Sequence, residues 1–65
     1  MDISAIHALT DEQLETELDN SHRELMNLRF RLSTRQINSP QELRKVKKTI
    51  ARLKTVMRLR EVRES

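Results

Sequence analysis

From Leu14 onward an apolar residue returns at alternating steps of four and three: Leu14, Leu18, Leu25, Leu28 and Leu32, with one polar seat at Ser21. On an α-helix these positions share one stripe, a heptad-type seam. A second run, Leu43, Val46, Ile50, Leu53 and Met57, has the same spacing and predicts a second amphipathic helix. Between them Ser33 to Ser39 is a polar cluster with loop character. The pattern predicts two long helices, over about 10–34 and 40–62, joined by a loop at 35–39.

Local signals sharpen the boundaries. Thr10-Asp11-Glu12-Gln13 fits a capping box, with acidic residues where the helix dipole favours them and Leu9 and Leu14 at the positions of a hydrophobic staple. Ser39-Pro40-Gln41-Glu42 reads as a second capping box, with proline at the first helical position. So short a connection favours antiparallel packing. Counting outward from the loop, Leu32 pairs with Leu43, Leu28 with Val46, Leu25 with Ile50, Ser21 with Leu53, Leu18 with Met57 and Leu14 with Arg60. Apolar seats match near the loop and the match decays outward, so the hairpin is expected to be firm at its tip and frayed at its mouth. The opening stretch, Met1 to Leu9, has Ile3, Ile6 and Leu9 at three-residue spacing; it reads equally as a helical turn folded against the body or as a loose end.

Composition fits a single all-α domain over residues 1–65. The chain has no glycine, no cysteine and one proline, which argues against a sheet protein, a disulfide scaffold or a zinc finger. A core this small rarely supplies more than about 3–5 kcal/mol without a staple, so a partner is expected. Met1 to Leu9 is too short and too acidic for a signal or transit peptide, and neither seam is a membrane span. A soluble intracellular protein follows as the expectation. No motif carries catalysis, and a straight hairpin provides no concave pocket to desolvate its carboxylates. His7 and His22 lie fifteen residues apart without a third ligand and read as surface residues. No catalytic residue, metal, cofactor or small-molecule substrate is expected.

Charge changes the picture more. Through Glu24 seven acidic residues face Arg23, a net of −6; from Leu25 onward twelve basic residues face three acidic ones, a net of +9. The second helix carries Arg44, Lys45, Lys47, Lys48, Arg52, Lys54 and Arg58, and no acid lies between Arg44 and Lys54. A solubilising surface ordinarily interleaves both signs. A one-signed helix instead suits phosphate, and Arg29, Arg31 and Arg35 extend it across the end of the first helix. With a single aromatic residue, base stacking is a poor fit, and backbone or shape recognition of folded RNA or duplex fits better. Met26 and Phe30, four apart and off the seam, read as a contact spot for another macromolecule, with simple exposure as the alternative. Leu59 and Val62 extend similar behaviour at the far end.

Glu24-Leu25-Met26-Asn27-Leu28-Arg29-Phe30-Arg31, then Thr34-Arg35-Gln36, Asn38-x-Pro40 and Ile50-Ala51-Arg52-Leu53-Lys54-Thr55-Val56 resemble ribosomal protein twenty-nine of the large subunit, L-series, in its bacterial form. The resemblance runs from about Leu9 to Glu61. It implies an antiparallel hairpin lying on large-subunit ribosomal RNA near the exit of the peptide tunnel, in a cytoplasmic ribosome. It further implies ribosomal protein twenty-three as neighbour, in a region where targeting and chaperone factors land. Matching motif positions make Asn27, Arg29, Gln36, Asn38, Arg52, Lys54, Thr55 and Arg58 RNA-contact candidates, beside Arg31, Arg44, Lys47 and Lys48 from the charge pattern. Phe30 matches too, and with Met26 is the protein-contact candidate. Two positions depart: Arg35 stands where the family commonly has glycine, and the N-terminal segment is acidic where many relatives carry lysine. Without the resemblance, a free coiled-coil module dimerising through its leucines, or a DNA-associated architectural factor, is the alternative.

Overall fold

The computed structural model describes residues 2–36 and 40–64 and is built of helices: α1 Ile3–His7, α2 Asp11–Ser33 and α3 Gln41–Glu64. α2 and α3 lie side by side, α1 folds back on α3, and the molecule measures 45 × 17 × 16 Å. The fold is the all-α hairpin that the two seams predict.

α2 starts at the Thr10 capping box. The Thr10 hydroxyl accepts the Gln13 N–H at 3.1 Å, and the Thr10 N–H donates to Gln13 Oε1 at 2.9 Å. α3 opens with the Arg44 N–H donating to the Pro40 carbonyl at 3.1 Å. The second capping box rests on Ser39, which lies outside the described residues.

α2 ends in a Schellman turn. The Gln36 N–H reaches the Arg31 carbonyl at 2.9 Å and the Arg35 N–H reaches that of Leu32 at 3.2 Å, the bond pair that defines this motif. Its left-handed residue is Arg35, at φ 61°. The missing glycine therefore does not abolish the cap: arginine takes it, at about 1–2 kcal/mol of steric cost. The Ser33 and Thr34 hydroxyls both donate to the Phe30 carbonyl, at 2.8 and 3.1 Å, so the last turn is well satisfied.

Two core clusters lie along the hairpin. Toward the tip, Leu28, Val46 and Ile50 are buried, with Leu25 and Leu43 half-buried against them. This fits the pairing of Leu28 with Val46 and Leu25 with Ile50. Toward the mouth, Ile6, Leu14, Leu53 and Val56 are sealed to 0–1% exposure, with Leu9, Leu18 and Met57 against them. The expectation of a frayed mouth is therefore overturned, for two physical reasons. α1 brings Ile6 over the open end, and Val56, one residue off the α2-facing stripe, turns toward it. A five-residue helix does not persist alone; α1 is held by the burial of Ile6 and by Arg60. That guanidinium donates to the His7 carbonyl at 3.0 Å and to Asp11 Oδ1 at 2.9 Å, so one side chain ties α3 to both other helices. Within the opening stretch Ile3–His7 is thus an ordered helical turn, and Leu14 packs with Leu53 and Val56. His7 is exposed and His22 half-buried.

Candidate nucleic-acid interface

α3 is the element on which a phosphate-binding surface can be built, because its inward positions are taken. Val46, Ile50, Leu53 and Val56 face α2 and α1. Arg44, Lys47, Lys48, Arg52, Lys54, Thr55 and Arg58 are all exposed, as helical spacing requires once the seam is fixed.

These residues do not converge on one point. Lys54 and Arg58 line a groove with Leu18 and Met57 on one face of the hairpin. Lys47 lies seven residues before Lys54, and Arg29 eleven after Leu18, which puts both on that side. Lys45 lies on the opposite face, beside Glu17, Ser21 and Glu24. Arg44, Lys48 and Thr55 point outward, away from α2. The result is a basic sleeve around three sides of α3 rather than a pocket. Arg29, Arg44, Lys47, Lys48, Lys54 and Arg58 have no ion-pair partner among the described residues. Flexible cations without carboxylate partners are what backbone contact with a polyanion needs.

The other candidates fall out differently. Gln36 and Arg31 are exposed near the turn; the chain at Asn38 lies outside the described residues. The Thr55 hydroxyl donates to the Ala51 carbonyl at 2.8 Å, which leaves it only acceptor capacity and no donor for phosphate. Asn27 sits on the outer side of α2 with Met26 and Phe30, away from α3. Met26 and Phe30 are 70% and 63% exposed, an isolated apolar pair.

The functional residue that periodicity alone does not reveal lies at the mouth. By spacing, Arg60 is only a mismatch to Leu14, yet it is the clamp between helices. One signal points to it: an arginine late in α3 opposite Asp11, the first residue of α2. Among the described residues no helix is long and apolar enough to cross a membrane, and no cluster of His, Cys, Asp and Glu could hold a metal ion.

Comparison with known proteins adds an independent line. Residues 4–60 match the family model described as "Ribosomal L29 protein". Proteins named "Large ribosomal subunit protein uL29" are similar along nearly the whole chain. That of Caldicellulosiruptor bescii is 48% identical over 64 residues, covering 98% of this chain and 89% of its own. That of Dehalococcoides mccartyi strain BAV1 is 50% identical over 62 residues, 95% of each chain. The Staphylococcus haemolyticus protein is 48% identical over 65 residues, all of this chain and 94% of its own.

Proposed function

Because the chain belongs to the Ribosomal L29 protein family, we infer that its work is architectural: it is a non-catalytic structural constituent of the large ribosomal subunit, held there by ribosomal RNA against the basic sleeve of α3. Membership in the family carries the first half of that reading. The observation that carries the second is the run from Arg44 to Lys54, six cations without an acid on an exposed helix.

The mechanism is electrostatic positioning. Lys and Arg side chains on a stiff helix neutralise phosphates, release their condensed counterions and fix the hairpin's register on the RNA fold. The buried seam supplies the stiffness. Leu28, Val46 and Ile50 are used up inside the chain, which leaves the dimerising coiled-coil alternative without its leucine interface. In this reading the protein works in the cytoplasm beside other ribosomal proteins near the tunnel exit, with ribosomal protein twenty-three the expected neighbour and targeting or chaperone factors passing close by.

Binding of the pure protein to large-subunit RNA, measured across a salt series, tests it. Replacing Lys47 and Lys54 by glutamine should flatten the log–log salt slope by about 0.7–0.9 for each phosphate no longer neutralised. An unchanged slope would mean these side chains stay solvated and the sleeve is not the RNA face.

A further inference from the structure

Among the described residues a single backbone position has positive φ, and it is an arginine: Arg35, at 61°. A residue with a Cβ is strained there, whereas glycine is not. Backbone strain of this kind persists where the surrounding structure holds it, and it gathers at places of function.

Nothing among the described residues uses the Arg35 guanidinium. It makes no hydrogen bond or ion pair there, and neither it nor Arg31 pairs with Glu42, the single acid in residues 25–52. The turn is held by other groups. The Arg35 and Gln36 N–H groups donate to the Leu32 and Arg31 carbonyls, and the Ser33 and Thr34 hydroxyls donate to the Phe30 carbonyl. Glycine at this position would make the same backbone bonds without the strain. With those N–H groups and both hydroxyls engaged, the donors the turn still offers are the side chains of Arg31, Arg35 and Gln36, all exposed.

Their surroundings select the ligand. Residues 25–52 carry eight basic residues against Glu42, a net of +7, a field that draws in a polyanion. A guanidinium presents a planar fork that matches two oxygens of one phosphate. We propose that Arg35 is a phosphate-binding residue, kept in a strained left-handed turn so that its guanidinium meets RNA beyond the end of α2. This rests on the ribosomal reading above and extends it: the RNA reaches past the α3 sleeve onto the turn. The contact is particular to this chain, since the family commonly has glycine at this position. One residue thus exchanges folding stability for affinity.

Three variants of the full chain test it: Arg35→Gly, Arg35→Asn and Arg35→Lys. Each is compared with the parent in a thermal melt and in binding to protein-free large-subunit RNA across a salt series. Asparagine tolerates the left-handed backbone and carries no charge; lysine keeps the charge without the fork. Arg35→Gly and Arg35→Asn should melt no lower than the parent. They should nevertheless bind about fivefold more weakly at 0.1 M salt, with a log–log slope flatter by about 0.7–0.9. Arg35→Lys should keep the parent slope, because one phosphate is still neutralised. A residue serving only the turn cannot move stability and affinity in opposite directions. If the uncharged variants keep the parent slope, or if melting point and affinity fall together, the proposal is overturned. The Lys47 and Lys54 substitutions described above are the reference. Where they flatten the slope and the Arg35 variants do not, the assignment of Arg35 alone falls; where neither set flattens it, the RNA-binding sleeve falls as well.

Discussion

The mouth and the tip of the hairpin solve the same problem with different means. At the tip two helices meet along one stripe, and Leu28, Val46 and Ile50 keep 4–7% of their surface exposed. At the mouth a third element is added, and Ile6, Leu14, Leu53 and Val56 keep 0–1%. Two round surfaces touch along a line and leave flanks open to water; a third helix, even of five residues, closes one of those flanks. The end that carries the mismatched residues is therefore the better sealed.

Substitutions can break that comparison. The largest effect should come from Leu53→Ala, since Leu53 is sealed and belongs to the cluster that unites all three helices; a loss of about 2–5 kcal/mol is expected. Leu25→Ala, at a half-buried seat toward the tip, should lose clearly less. Paired thermal or urea melts measure both, and equal losses would mean the two ends are equally packed. Ile6→Ala should come next. It removes a fully buried side chain, yet its effect is bounded because α1 can detach and leave α2 and α3 paired. Amide exchange should then rise in α1 and around Val56 while the protection of Val46 and Ile50 stays as it was.

Arg60→Gln is smaller. It removes the ion pair with Asp11, a residue with 66% side-chain exposure, together with the bond to the His7 carbonyl. About 0.5–1 kcal/mol is expected, seen as earlier detachment of α1 rather than a lower midpoint for the hairpin. Smallest, and of opposite sign, is Arg35→Gly. Glycine relieves the left-handed backbone but loosens the unfolded chain, so a net gain of up to about 1 kcal/mol is expected in the melt. A loss would mean that the arginine side chain stabilises the turn in a way its backbone does not reveal.

Legibility follows the range of the interactions. The Thr10 cap is readable because its donors and acceptors lie within four residues, and the seams because helical spacing is a local property. The pairing of Leu28 with Val46 follows from the short loop. Val56 is not readable: beside Met57 it looks like a residue just off the stripe, and only the arrival of α1 gives it a second neighbour to face. Arg60 escapes for the same reason, since its partners are 49 and 53 residues away. Arg35 is readable as an anomaly but not as an outcome, because a steric cost of this size is within what the surrounding hydrogen bonds can sustain. The sleeve on α3 is legible both as charge and, from helical spacing around the seam, as a covering of the helix's flanks and outer face rather than a patch.

The shape has a consequence for how the two ends respond to their surroundings. At physiological ionic strength electrostatic fields decay over ~8 Å, and the molecule is 45 Å long. Side chains at the turn and at the far end of the hairpin lie several decay lengths apart, so those two extremes do not feel each other through solvent, whereas charges between them, such as Glu24 and Lys45, share one hollow. A charge altered at one extreme leaves the field at the other untouched. The rod thus behaves as two electrically separate devices on one stiff support, each free to be tuned without detuning the other.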